Sequence, residues 1–95
     1  MRTFYQRGAA TRTMRANQLV GSHPVLPRGT KVLVTNIQNR RQVVVTITGR
    51  ITATANRIID LSQVAAIALR MGDSDSVVVS IEVIRRRAPP NNRPQ

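Results

Sequence analysis

The segment from Gly21 to Ile84 decides the fold of this chain of 95 residues. It contains, in order, Gly21-Ser-His-Pro-Val-Leu-Pro-Arg-Gly-Thr30, Lys31-Val-Leu-Val-Thr-Asn36, Gln42-Val-Val-Val-Thr-Ile-Thr-Gly49 and Arg57-Ile-Ile-Asp-Leu-Ser62. The second and third pieces are rich in β-branched residues and predict strands, and the polar residues between them predict a hairpin turn. Because valines occupy both faces of residues 43–45, we expect the third piece to be covered on both sides or closed into a barrel.

One helix is predicted at about 61–71, directly after a brief strand at 57–59. Asp60 is a good N-cap, and Gln63 stands three residues later, as in a capping box. Gly72 supplies the C-terminal stop. The apolar positions recur at helical spacing, namely Leu61, Val64, Ala65, Ala68 and Met71. After a turn at 73–76, residues 77–84 predict the last strand.

The two ends of the chain carry most of its positive charge. The formal net charge is +11, but residues 1–20 and 85–95 each hold four arginines and no acid, so the central part is only modestly basic. Binding to single-stranded nucleic acid is disfavoured, because it relies on aromatic stacking platforms and only Phe4 and Tyr5 are present. Contact with an anionic polymer stays open, since electrostatic attraction needs no aromatic group. The arginines available for it in the tail are Arg85, Arg86 and Arg87.

The chain lacks the residues that several kinds of site or segment require. The chain has no cysteine and a single histidine, so neither a disulfide nor a metal-ligand set is expected, and no cofactor is predicted. No apolar run approaches the ~20 residues that span a bilayer, so no transmembrane segment is predicted. An apolar signal-peptide core is missing too, and we expect any export signal to lie outside this sequence.

The order of these motifs resembles the rare lipoprotein A family, whose double-psi β-barrel binds peptidoglycan glycan strands and in some members cleaves them. The resemblance covers roughly residues 19–84. It implies a mainly β fold, a six-stranded double-psi β-barrel with one short α-helix at about 61–71. We therefore expect a basic N-terminal segment at 1–18, which begins with a strand-like run and continues as a loop over 9–17. The barrel would occupy 19–84, and an Arg/Pro-rich tail 85–95.

One departure from the family bears on catalysis. The family usually carries an Asn-Asp-Arg-Gly-Pro loop with a catalytic Asp, whereas this chain has Thr48-Gly49-Arg50-Ile51-Thr52. A lytic transglycosylase needs a carboxylate that protonates the glycosidic oxygen and then accepts a proton from the C6 hydroxyl group. Gly49 cannot supply one, so no catalytic residue is predicted.

Four residues are candidates for glycan binding, namely His23, Arg50, Arg57 and Asp60. The resemblance implies that His23 lines the glycan cleft and that Arg50 lies beside the missing Asp. Each candidate also has a structural interpretation. His23 can hydrogen-bond the loop around Pro24, Arg50 and Arg57 can be solvated charges, Arg50 can pair with Asp60, and Asp60 can cap the helix.

Three hypotheses for function follow. The first is a cell-envelope module, periplasmic or associated with the outer membrane, that does not cleave glycan. It would bind peptidoglycan glycan strands or other envelope proteins, or serve as a structural part of an envelope assembly. It could be a piece of a longer lipoprotein. The second is an active endolytic transglycosylase that uses a substitute acid. The third is a basic scaffold that binds polyanions through its Arg-rich ends.

Overall fold

The computed structural model describes residues 4–54 and 56–84 of the chain. The strands are β1 (Tyr5–Met14), β2 (Val20–Ser22), β3 (Lys31–Asn36), β4 (Gln42–Gly49), β5 (Arg57–Ser62) and β6 (Ser76–Val83). One helix, α1 (Gln63–Ala68), follows β5 without a break. Within these described ranges, no helix is long and apolar enough to cross a membrane.

The six strands close into a barrel in the order β1-β5-β2-β4-β3-β6. Two neighbouring pairs are parallel, β1 with β5 and β2 with β4, and the other neighbours are antiparallel. Closure gives each strand a partner on both sides, so this sheet has no open edge. The prediction of a mainly β, six-stranded barrel with one short helix is confirmed.

The core is built by alternate residues of the strands. On β3, Val32 and Val34 are fully buried, and on β5 the same is true of Ile59 and Leu61. Side chains two apart on a strand share one face, so these residues point into the barrel while the residues between them point out of it. Val45, Ile47, Val79 and Ile81 complete the interior from β4 and β6. Aliphatic side chains therefore fill the barrel.

The hairpin turn between β3 and β4 is confirmed. The Asn36 amide donates to the carbonyl of Arg41 at 2.8 Å, and Arg40 adopts a left-handed backbone conformation with φ of 67°. That conformation reverses the chain within a short turn, which explains why polar residues separate two valine-rich strands.

The loop predicted over residues 9–17 is wrong in its first part, because residues 9–14 belong to β1. This strand pairs along its length with β6 and, on its other side, with β5. Its small residues have a packing reason, since a Cβ at Gly8 would lie 2.7 Å from Cγ2 of Ile58. The barrel therefore starts at Tyr5 rather than at residue 19, whereas the predicted tail at 85–95 lies outside the described residues.

The predicted start of the helix is also wrong. Ser62 is the N-cap, since its side chain accepts the N–H of Ala65, and the helix runs only from Gln63 to Ala68. Asp60 lies two residues earlier, inside β5. The helix ends before Gly72 because Arg70, with φ of 54°, already takes the left-handed conformation that terminates helices.

Candidate functional site

Four residues that are far apart in sequence form one row across the barrel wall. Thr11 of β1 pairs with Asp60 of β5, Asp60 pairs with Ser22 of β2, and Ser22 pairs with Gly49 of β4. We call these four residues the cross-strand row. Directly paired residues present their side chains on the same face of a sheet, so Gly49, where the resemblance implies an Asp, lies on the same face as Asp60, with β2 between them. Among the described residues, no group of three or more side chains could hold a metal ion.

Asp60 is buried and fully hydrogen-bonded. Its Oδ1 accepts from the Thr11 hydroxyl group at 2.7 Å and from the Thr13 amide at 2.9 Å, and its Oδ2 accepts from the Thr13 hydroxyl group at 2.6 Å. Only 3% of the residue is exposed. The helix-capping interpretation of Asp60 is therefore wrong, because this carboxylate ties β1 to β5.

Arg57 approaches Asp60 indirectly. Its Nε donates to the Thr11 hydroxyl oxygen at 3.1 Å, and that hydroxyl group donates to Asp60. The residue is half-buried and uses only Nε in this contact, and within residues 4–54 and 56–84 its two terminal nitrogens have no hydrogen bond and can donate to a ligand.

His23, directly after β2, is held on both ring nitrogens. Its Nδ1 accepts the amide N–H groups of Val25 and Leu26, each at 3.1 Å, and its Nε2 lies 2.9 Å from Oε1 of Gln6. Two incoming N–H donors require an unprotonated Nδ1, so the ring is neutral and Nε2 donates to Gln6. Burial lowers the pKa of His23 from its ordinary value of 6.5, and the positive charge of Arg50 lowers it further. His23 therefore stabilises the loop after Pro24, as the structural interpretation predicted.

Arg50 also holds this loop. Its Nη1 donates to the carbonyl of Leu26 at 2.7 Å and to the carbonyl of His23 at 3.2 Å. Arg50 therefore donates to backbone carbonyls and does not form the ion pair with Asp60 that the sequence analysis considered. The residue is exposed, and both contacts use Nη1, so among the described residues Nε and Nη2 have no hydrogen bond and can donate to a bound molecule.

Ser22 occupies the space that a side chain at Gly49 would need. A Cβ built on Gly49 lies 2.5 Å from Oγ of Ser22, and that hydroxyl group donates to the Met14 sulfur at 3.4 Å. Among the glycines with described backbone, positive φ occurs at Gly29 and Gly72 and not at Gly49. The backbone of Gly49 therefore accepts an L-residue, and Ser22 is what excludes it.

This contact predicts that the effect of Gly49→Ala depends on residue 22. In the wild-type background the new methyl group displaces the Ser22 hydroxyl group, and we expect the free energy of unfolding to fall by about 1 kcal/mol. In a Ser22→Ala background the same change should raise it by about 0.5 kcal/mol, because alanine restricts the unfolded chain. Urea denaturation of the four proteins in this mutant cycle measures the coupling, and equal effects of Gly49→Ala in both backgrounds would contradict the steric account.

Sequence reasoning missed Thr11, Thr13 and Ser22. The two threonines are spaced by two, which is the strand period that places side chains on one face. This spacing is visible in the sequence, but it indicates a shared face only if residues 9–14 are recognised as a strand.

Comparison with known proteins agrees with the fold. A double-psi β-barrel family model described as "Lytic transglycolase" matches residues 1–82. The chain belongs to this family, and its fold is the double-psi β-barrel that the motifs predicted.

Within this family, the curated relatives that the chain matches are of the rare lipoprotein A type. The chain is 43% identical over 72 residues to the endolytic peptidoglycan transglycosylase RlpA of Campylobacter jejuni, with 76% of this chain and 26% of the relative covered. It is 40% identical over 92 residues to the probable endolytic peptidoglycan transglycosylase RlpA of a Nostoc species, with 88% and 25% covered. The chain thus spans about a quarter of the length of these relatives.

A solved structure supports the fold alone. The expansin of Clavibacter michiganensis superimposes with a TM-score of 0.70 at 19% sequence identity, covering 92% of this chain and 54% of the expansin. At this level of identity, the shared feature is the barrel.

Proposed function

We propose that the chain is a glycan-strand-binding module of the bacterial cell envelope, periplasmic or associated with the outer membrane, that lacks transglycosylase activity. The observation that carries this proposal is the end of the cross-strand row at β4, where Gly49 has no side chain and the Ser22 hydroxyl group fills the space. Without a carboxylate there, the reaction has lost its proton donor at that position.

The four acids of the chain offer no evident replacement. Asp60 has both carboxylate oxygens engaged and is nearly inaccessible. Asp73 and Asp75 lie in the exposed turn before β6, and Glu82 is an exposed residue of β6 that pairs with Tyr5 and Leu33, apart from the cross-strand row.

Binding would use the donors that remain around this row. The terminal nitrogens of Arg57 and the free nitrogens of Arg50 can donate to sugar hydroxyl or acetamido oxygens. His23 contributes by fixing the loop whose carbonyls orient Arg50, and Asp60 by fixing Thr11, which orients Arg57. Two exposed or half-buried guanidinium groups with few aromatic neighbours are suited to weak binding.

Isolated glycan strands test both parts of this proposal. We expect the protein to bind peptide-free strands and to release no product with an anhydro-sugar end, as analysed by chromatography and mass spectrometry. The R50Q/R57Q variant should bind about tenfold more weakly, since a hydrogen bond from a charged donor contributes about 1.5–3 kcal/mol.

The matched control is R7Q/R40Q, which removes the same charge from exposed positions outside the row. If both double variants weaken binding equally and salt abolishes it, the interaction is with the net charge, as the polyanion hypothesis requires. That result would overturn a glycan site at Arg50 and Arg57.

A second candidate function is an active transglycosylase with Asp60 as the substitute acid. It is favoured by the two threonine hydroxyl groups on the carboxylate, because a hydroxyl group can donate to an ionised acid and accept from a protonated one. Anhydro-ended products that disappear in Asp60→Asn, while that variant stays folded and still binds strands, would establish this alternative and contradict the non-catalytic proposal.

A further inference from the structure

A basic groove lies beside α1, on the other side of β1 from Asp60. Its volume is about 700 Å³, and its lining consists of Arg12, Arg41, Ile67, Ala68, Arg70 and Gly72. Arg12 stands between Thr11 and Thr13 on β1, and neighbouring residues of a strand point to opposite faces. The groove is thus separate from the cross-strand row, and its lining holds three guanidinium groups and no carboxylate.

Arg12 forms a fixed wall of this groove. Its Nε and Nη2 both donate to Oε1 of Gln63, at 3.1 and 2.9 Å, and its Nη1 donates to the carbonyls of Gly72 and Ser74. These bonds position the guanidinium charge before any ligand arrives. An arginine held in this way loses less conformational entropy on binding than a free one.

The negative end of α1 is neutralised next to the groove. The Leu69 carbonyl, just past the helix, accepts from the side-chain amides of Asn36 and Asn39, each at 3.0 Å. Unpaired carbonyls at a helix C-terminus repel anions. Because two amide donors satisfy this carbonyl, that repulsion is reduced beside the arginines.

Arg41 and Arg70 supply the donors that face solvent. Both are exposed, Arg41 at the end of the β3–β4 turn and Arg70 just past the helix. Among the hydrogen bonds found within residues 4–54 and 56–84, none comes from the guanidinium group of either residue. Ile67 of α1 also lines the groove and is 69% exposed, so an apolar surface adjoins the charges.

We propose that this groove binds a phosphate monoester. A guanidinium group pairs with phosphate oxygens through two parallel N–H donors, and Arg41 and Arg70 can each offer such a pair. Three positive charges match a phosphate monoester, which carries about −1.5 to −2 at neutral pH, better than a single carboxylate. The exposed Ile67 contacts the organic part of the ligand. The site is independent of glycan binding and concerns different residues.

Two probes distinguish a soluble phosphate from a lipid headgroup. Glycerol phosphate is titrated into the labelled protein at constant ionic strength, with binding followed by NMR shifts of the Arg41, Ile67 and Arg70 amides. In parallel, the protein is sedimented with phosphatidylcholine vesicles that contain phosphatidic acid, and with phosphatidylcholine alone. The R41Q/R70Q variant is compared with the R7Q/R28Q variant, which removes the same charge elsewhere; Arg12 is left intact because it also joins β1 to α1.

We expect R41Q/R70Q to weaken binding of at least one probe about tenfold or more, while R7Q/R28Q retains it. Preference for the soluble probe or for the vesicles then identifies the source of the phosphate. Equal weakening by the two variants would overturn the proposal, because it would mean that the net charge alone attracts the anion. Failure of both probes to bind the wild-type protein would overturn it as well. Circular dichroism melting of each variant shows whether the barrel is intact.

Discussion

Replacing Asp60 with alanine should lower the free energy of unfolding by about 3 kcal/mol or more. The substitution removes the acceptor of three hydrogen bonds that join β1 to β5, each of the charge-assisted kind that contributes about 1.5–3 kcal/mol. Thr13 is exposed, so its hydroxyl group can turn to water, whereas Thr11 is half-buried and its hydroxyl group loses the acceptor of its proton. A loss of this size is a large part of the stability of a small domain.

Urea denaturation measures this effect, and two variants bracket it. Asp60→Asn keeps one acceptor oxygen and should cost less than Asp60→Ala, and Thr13→Val removes a single donor and should cost about 1 kcal/mol. If Asp60→Ala unfolds at nearly the wild-type urea concentration but no longer binds glycan strands, Asp60 acts on the ligand rather than on the barrel.

Mild acid should destabilise the protein through His23. The folded pKa of this residue lies below its ordinary value of 6.5, because the ring is buried and Arg50 is nearby. The unfolded chain therefore takes up a proton near pH 6.5 while the folded chain does not. The stabilisation is fully present above that pH and is lost as the pH falls toward the folded pKa, with a slope of up to about 1.4 kcal/mol per pH unit.

Because the chain has a single histidine, replacing it tests this prediction directly. The stability of a His23→Gln variant should therefore depend much less on pH between pH 7 and pH 5 than that of the wild-type protein. Protonation of Nδ1 places a proton against the Val25 and Leu26 amides, which explains the loss physically. A wild-type protein whose urea midpoint is unchanged between these two pH values would contradict the assignment of the neutral ring.

Local patterns in the sequence were enough to predict much of the barrel. Runs of β-branched residues predicted β3 and β4, and the polar residues between them predicted the hairpin turn, because strand propensity and turn chemistry act over a few neighbouring residues. The helix was also predicted, but its start was misplaced. Asp60 and Ser62 are both good N-caps from sequence, and only the pairing of Asp60 within β5 distinguishes them.

The sequence by itself determined the family, the closed β architecture and the lack of a carboxylate at Gly49. Only the tertiary structure decided that β1 belongs to the barrel and that two threonine hydroxyl groups of β1 donate hydrogen bonds to Asp60. It decided as well that the Ser22 hydroxyl group fills the space beside Gly49. It also decided that Arg12, Arg41 and Arg70 line one groove. The physical reason is the same in each case: these contacts join strands, turns and a helix that are far apart along the chain, so no short-range periodicity encodes them.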